Sequence, residues 1–389
     1  MPAKPKMALA ILSALVIVAG CSSSATTAPT ATPAPTPTPA AVVSAAASPT
    51  AAATPLKIGV VTDVGRVDDK NFNQYSYEGA KTAAATLGTT AEYVVPKDAS
   101  DYTKDIQGYV DQKYNIIVTV GFNLGDATIK AAKANPNIWF IAVDVAPCVD
   151  ETGAPDSNFT CKGDASKLLP KLIGVQFQED QAGYLAGIVA AAVSKSGTIG
   201  QLGGINNNPA VVRYMQGFQL GAASYKSSIV VDSSFFSNGD LGKAYGDPVF
   251  GKQFSTQFIA QKKVDVLFQV AGATGNGALD AACAAGIMAV GVDVDEYQSY
   301  PTADKCIVTS AEKHLSSAVS QTIAKIAAGT AAGGIAKFDA TNDGIGISAF
   351  QNSAITIPAD VQGKLDAALA AMKAGTLKTC PDKCGTWAP

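Results

Sequence analysis

Histidine is almost absent: His314 is the single copy in 389 residues. That scarcity removes His-rich metal sites and makes Ser-His-Asp or Cys-His catalysis depend on one side chain. Excess positive charge is missing too. With 29 Lys+Arg against 32 Asp+Glu, a net charge of −3 and a pI near 5.3, the chain lacks the basic stripe of a nucleic-acid binder. No Gly-Lys-Ser/Thr occurs anywhere, which excludes a P-loop. After the first twenty residues no run approaches the roughly eighteen consecutive apolar residues of a membrane-spanning helix. What is present is a hydrophobic fraction of 47%, enough for a sizeable core, in a length that predicts two domains.

The first 55 residues read as address and tether. Lys4 and Lys6 open an apolar run, Met7 to Gly20, which at 1.5 Å per residue is too short for a hydrocarbon core of about 30 Å. Residues 1–20 therefore read as a signal peptide. It ends Val18-Ala19-Gly20-Cys21, resembling a bacterial lipobox whose Cys21 is diacylglycerated and becomes the first residue after cleavage. The alternative is an ordinary secretion signal with an incidental cysteine. Residues 22–55 hold only Ser, Ala, Thr, Pro and Val, with nothing to offset ordering entropy. Residues 21–55 are thus expected to be a lipidated Cys and a disordered linker, with a reach on the order of 100 Å. The folded part, 56–389, is expected at the extracytoplasmic face of the cell membrane, held there through the lipid alone. In that oxidising setting its six cysteines suggest disulfides. Proximity in sequence favours Cys148–Cys161, Cys283–Cys306 and Cys380–Cys384 among fifteen connectivities. A metal at Cys380 and Cys384 would lack a second ligand pair, so no metal is expected.

From Leu56 onward, β-branched runs alternate with Ala-rich helical stretches. Candidate strands are Lys57–Thr62, Glu92–Val95, Ile116–Val120, Trp139–Val143, Ile173–Phe177, Thr198–Leu202, Ile229–Ser233, Val264–Val270, Ala289–Val292, Ile307–Thr309 and Ile345–Ala349. Helical patterns fall at Tyr75–Thr86, Ala127–Lys133, Asp180–Ser194, Pro209–Tyr225, Phe254–Lys262, Gly277–Ala285, Leu315–Ala328 and Ala359–Ala374. Continuous apolar strands followed by such helices predict an α/β protein whose parallel sheets are covered on both faces. Eleven strands overfill one comfortable open sheet, so two doubly wound lobes are predicted.

Ligands of open α/β sheets bind beyond the strand C-termini. There the sequence places Asp63, Gly121-Phe122-Asn123, Asp144, Asp293 and the loop Ala271 to Gly277. One strand-end Asp is most often a cap or turn former; several at equivalent places read as the lining of a cleft. Asp63, Asp68 and Asp69 lack EF-hand spacing. Beside the aromatic Phe72 they suit instead a neutral ligand with hydroxyl and ring-nitrogen donors, and Asn73 suits a helix cap. Gly272 permits close backbone approach to an uncharged ligand. Lys313 is a candidate hydroxyl donor. Phe235 and Phe236 are core aromatics by default but stand at a strand end. Carboxylates without a base, nucleophile or metal converging on them favour binding over catalysis, and no cofactor is implied.

These residues resemble a known family. Asp63-Val-Gly-x-x-Asp68-Asp69-Lys-x-Phe72-Asn73-Gln74 followed by Glu78-Gly79 is similar to the opening signature of the basic membrane protein family, the substrate-binding lipoproteins of ABC transporters typified by purine nucleoside-binding lipoproteins. Gly121-Phe122, Gln178-Glu179-x-x-Gly183-Tyr184-Leu185-x-Gly187, Arg213-x-x-x-Gly217-Phe218-x-x-Gly221, Ala271-Gly272-x-Thr274-Gly275 and Gly291-Val292-Asp293-x-Asp295 continue the match in order. The resemblance implies a type I periplasmic-binding-protein fold, two Rossmann-like lobes joined by three crossovers. Lobe one would be 56–173 plus 307–330, and lobe two 174–306 plus 331–389. It implies that Asp69 and Asn73 face a purine edge, that Phe72 and a lobe-two aromatic (Phe236, with Phe235 the other choice) lie near it, and that Asp293 takes ribose hydroxyls with Lys313 assisting. The partners implied are a nucleoside, ABC permease and ATPase subunits, with the chain a monomer.

Three departures stand out: the segment Phe235–Lys252 is longer than the family's usual turn, Arg66 replaces a small residue, and six folded-region cysteines are not a family hallmark. Other readings are a binding protein for a sugar or another small polar ligand, a nucleoside-hydrolysing enzyme, and a surface adhesin.

Overall fold

The computed structural model describes residues 56–387. The expected signal peptide, Cys21 and the linker lie outside the described residues. Within them the apolar runs form strands β1 (Ile58–Val61), β2 (Ala91–Val94), β3 (Ile116–Val120), β4 (Trp139–Val143), β5 (Leu172–Phe177), β6 (Thr198–Gly203), β7 (Val230–Phe235), β8 (Val266–Val270), β9 (Met288–Asp293), β10 (Ile307–Lys313), β11 (Gly334–Phe338) and β12 (Ile345–Ile347). The helices are α1 (Phe72–Thr86), α2 (Tyr102–Asp111), α3 (Gly125–Ala134), α4 (Ala165–Leu168), α5 (Glu179–Val193), α6 (Pro209–Tyr225), α7 (Pro248–Lys262), α8 (Gly272–Ala285), α9 (Glu296–Ser299), α10 (Leu315–Ala327) and α11 (Val361–Lys373).

The strands build two six-stranded sheets, ordered β11-β5-β4-β3-β1-β2 and β12-β10-β9-β8-β6-β7. Every pairing between these strands is parallel except β10 with β12. Central strands such as β3 and β8 are buried at every position, because helices cover both faces. The edge strand β11 alternates exposed and half-buried residues; with a single apolar face it lacks the continuous run that marks central strands such as β3 and β4 in sequence. Helix α2 is likewise absent from the sequence pattern, although its buried Tyr102, Ile106, Tyr109 and Val110 mark one helical face.

The lobe boundaries need correction. The strand at 307–313, assigned from the resemblance to lobe one, pairs with β9 and β12 in the second sheet. The strand at 334–338, assigned to lobe two, pairs with β5 in the first. The reason is where the chain crosses. It passes between sheets after β5, again between β10 and α10, which packs on α1, and again between β11 and β12. The Ser316 hydroxyl, on α10, donates to Tyr75 O at 2.7 Å and ties that helix to the first lobe.

In the second lobe α5 and α6 lie backbone to backbone through glycine. A Cβ on Gly183 would sit 2.2 Å from Tyr214 O, on Gly187 2.1 Å from Phe218 O, on Gly217 2.0 Å from Asp180 O and on Gly221 1.9 Å from Tyr184 O. Two of the motifs that carried the resemblance are therefore packing devices. The six cysteines pair as Cys148–Cys161, Cys283–Cys306 and Cys380–Cys384. Among the described residues no helix is long and apolar enough to cross a membrane.

Candidate ligand-binding site

The C-terminal ends of β1, β3 and β4 face those of β8, β9 and β10 across a cavity whose space outside the protein atoms, open solvent included, is ≈ 630 Å³. It is lined by Asp63, Asp69, Phe72, Asn73, Phe122 and Asp144 from the first lobe and by Gly272, Asp293 and Lys313 from the second. All of these are candidates from sequence.

Phe236 is a correction. It is 4% exposed and packs between Phe250 and Phe254 in the outer core of the second lobe. Its amide extends the β7 ladder to Gly203 O at 2.9 Å, and Phe235 packs edge-on against Trp387. Successive residues of a strand point to opposite faces, so neither ring turns toward the strand ends. The lobe-two aromatics that do line the cavity are Tyr214 and Tyr245. Tyr214 follows Arg213, inside a motif already singled out. Tyr245 comes from the overlong segment, in a π-helical turn at Gly242–Gly246, a feature common at functional sites.

Each first-lobe carboxylate is held by its surroundings. Asp63 accepts from the Tyr102 hydroxyl, from Val64 N at 2.7 Å and from Asn123 Nδ2 at 3.2 Å. Asp69 accepts from the amides of Asn71 (2.8 Å), Asn73 (2.9 Å) and Gln74 (3.1 Å), so it, rather than Asn73, serves the start of α1. Burial, partly offset by those amides, pushes Asp69 up to about 6. Asn73 fixes its own amide instead, its Oδ1 accepting Asp63 N–H at 3.1 Å.

Asp144 and Asp293, ending β4 and β9, both adopt left-handed backbone, with φ of 60° and 66°. Such strain gathers at binding sites. Between them Lys313 Nζ lies 2.5 Å from Asp144 Oδ2, 3.3 Å from Asp293 Oδ1 and 4.4 Å from the Phe72 ring centre. Asp144 Oδ1 has no hydrogen-bond partner, Asp293 Oδ1 keeps its ion contact with Lys313, and the Tyr214 hydroxyl lies beside the Asp293 carboxyl without a well-formed bond to it. Burial pushes Asp144 up to about 7 against the opposing pull of Lys313, and raises Asp293 likewise. Burial alone would lower Lys313, but Asp144, Asp293 and Glu179 outweigh it and hold the ammonium charged. At the rim Arg66 is already paired with Asp68 at 2.7 Å. Four carboxyl groups against one buried ammonium leave the cavity short of positive charge.

Two amides join the lobes beside it. Asn71 Nδ2 donates to Glu296 Oε1 at 2.7 Å and to Val292 O at 3.2 Å, and Asn276 Nδ2 donates to Asp69 O at 3.0 Å. His314, the one histidine, is not among the cavity's lining residues.

The profile of the family described as ABC transporter substrate-binding protein PnrA-like matches residues 56–373. The chain belongs to this family. The ABC transporter nucleoside-binding protein BmpA of Lactococcus lactis subsp. cremoris is 30% identical over 252 residues, 61% of this chain and 63% of that protein, a little under two thirds of its length. Basic membrane protein A of Borreliella burgdorferi is 26% identical over 256 residues, 66% of this chain and 68% of the other. Among solved structures, an ABC transporter solute-binding protein from Aeropyrum pernix K1 superposes with a TM-score of 0.71 at 20% identity, over 85% of this chain and 95% of that one. A solute-binding protein from Mycobacterium smegmatis with bound glycerol gives 0.56 at 18% identity, over 78% and 98%. These likenesses, with the two parallel sheets, establish the type I periplasmic-binding-protein fold. The chain is thus a member of the substrate-binding family that also holds the basic membrane proteins, and its interlobe cavity is the candidate site for solute.

Proposed function

We propose that this substrate-binding protein takes up an uncharged nucleoside, a purine nucleoside foremost, and delivers it to a membrane permease with its ATPase subunits. The observation that carries the reading is a cluster of buried polar atoms with hydrogen-bonding capacity left over, Asp144 Oδ1 without a partner and Asp293 Oδ1 and the Tyr214 hydroxyl only loosely engaged, around Lys313 and under the Phe72 ring. Buried polar groups left unpaired are costly, and vicinal hydroxyls of a ribose would satisfy carboxylate acceptors and the ammonium donor together. Phe72 offers an aromatic face for a base, and stacking on an aromatic contributes about 1–3 kcal/mol per base. Binding is expected to involve no chemistry on the solute, and the protein to act as a monomer tethered through Cys21 on the extracytoplasmic face.

Asp293→Ala is expected to keep the fold, because Lys313 retains Asp144 at 2.5 Å and no buried charge is orphaned. Nucleoside affinity should fall about 10- to 100-fold, the worth of one or two hydrogen bonds to a charged group. Calorimetry showing unchanged affinity would remove Asp293 from the ribose. Mass spectrometry of the solute that co-purifies tests the ligand class directly; a sugar there would favour the other binding reading. Release of free base from inosine would point to an enzyme. Cys21→Ser should shift the protein from the membrane fraction to the medium.

A further inference from the structure

At the end of the cavity near Asp63 and Asn73 the protein's acceptors are largely engaged and its donors are free. Asp63 and Asp69 each accept three donors from the protein itself, close to the capacity of a carboxylate. Asn73 has committed its Oδ1 to Asp63 N–H, which leaves Nδ2, a donor only, toward the cavity that the residue lines.

A second donor comes from the other lobe. Asn208 is the N-cap of α6, its Oδ1 accepting Ala210 N–H at 3.0 Å. That bond fixes the amide's orientation and turns Nδ2 to the Tyr245 oxygen at 3.2 Å. Since Nδ2 can only donate, the Tyr245 hydroxyl must accept from it. No acceptor among the described residues takes the Tyr245 proton in return. Burial, with Asp63 and Asp144 nearby, outweighs the bonds from Asn208 and the Ile205 backbone and keeps the phenol un-ionised, so the proton is there to give. The ring is held in place by Gly204, where a Cβ would come within 2.2 Å of Tyr245 Cε1. The same turn meets the first lobe at the Asp63–Asn73 loop, a Cβ on Gly246 lying 3.8 Å from Gly65 Cα.

We infer that the paired donors Tyr245 Oη–H and Asn73 Nδ2–H select a base edge with two adjacent acceptors, and hence a 6-oxopurine nucleoside such as inosine or guanosine over adenosine, with Asn208 the positioning residue that aims the Tyr245 proton. A 6-oxopurine presents N7 and O6 side by side, both acceptors, whereas adenine presents N7 beside an amino donor. With N7 still accepting from Asn73, an amino group at position 6 would face the Tyr245 donor, and the carboxylates that might have taken its proton are already engaged. A site built to hydrogen-bond one group discriminates strongly against the analogue that lacks it. This inference rests on the nucleoside reading above.

The test is calorimetric affinity for inosine, guanosine and adenosine in the intact protein and in two variants. Wild type should bind inosine and guanosine at least tenfold more tightly than adenosine. Tyr245→Phe keeps the ring and should lower inosine and guanosine affinity on the order of tenfold while sparing adenosine. Asn208→Asp retains the cap on Ala210 N but offers the Tyr245 hydroxyl an acceptor. Its proton is then captured within the protein, and selectivity should narrow as in Tyr245→Phe, although the hydroxyl is still present. A merely structural role would weaken all three nucleosides equally in both variants, and that result, or a wild type indifferent to the base, overturns the inference while leaving the nucleoside reading standing. Absence of binding to any of the three in wild type would overturn both.

Discussion

Lys313→Met is expected to be among the most destabilising single changes in the protein. The side chain is 3% exposed and is the cation shared by two buried carboxylates. Removing one partner of such a pair leaves uncompensated buried charge, at a cost of about 3–5 kcal/mol. The dependence on pH tests the cause. A carboxyl whose pKa rises on folding stabilises the fold below its unfolded value near 4 and loses that contribution as pH rises through the folded value. Asp144 already stands at about 7 in the presence of Lys313, and without the ammonium both carboxyls move higher still. The deficit of Lys313→Met against wild type should therefore be largest near pH 8 and shrink toward pH 5, where Asp144 carries a proton. Thermal unfolding at the two pH values measures it. An equal loss at both would mean that lost packing, not stranded charge, is responsible.

Gly217→Ala should rival it for a different reason. The added methyl would stand 2.0 Å from Asp180 O and 2.7 Å from its Cα, and these are backbone atoms of α5 that no rotamer change can move. Overpacking a well-filled interface costs about 1–3 kcal/mol and more where backbone must yield, so a loss of roughly 3 kcal/mol or more is expected. Because α6 also carries Tyr214, and Arg213 pairs with Glu179 of α5 at 2.6 Å, spreading the two helices should weaken ligand binding as well. Gly108→Ala and Gly363→Ala are the controls. Both lie inside helices, and the added methyl would meet nothing within 4 Å at either position, so each should gain about 0.5–1 kcal/mol from helix propensity. Denaturant titration of all three separates steric conflict from a general intolerance of alanine.

What could be read from sequence follows from how local each feature is. A buried parallel strand is a short β-branched run whatever surrounds it, so IIVTV at 116–120 and WFIAV at 139–143 were legible to the residue. The residue after such a strand stands at the rim of an open sheet, and that rule alone placed Asp63, Asp144 and Asp293 on one cavity. Whatever depends on the path of the chain was not legible. The side of the molecule to which β10 and β11 belong is settled by crossings, and nothing in their own residues records it. Choosing Phe236 as a cleft aromatic assumes that the chain turns directly from β7 into the cavity. The inserted segment instead buries Phe236 among Phe250 and Phe254 and delivers Tyr245 from farther along the chain. Asp69 shows a third limit, since its position beside the cavity was legible but its three amide partners were not.

The charge of the cavity also decides what the protein turns away. A phosphate group would add its negative charges to a space holding Asp144 and Asp293 beside one ammonium, where weak dielectric screening magnifies every repulsion. Phosphorylated solutes should be refused however well the rest of the molecule fits. On the nucleoside reading proposed above, a cell scavenging from nucleotides would have to cleave the phosphate outside before the remainder could be bound.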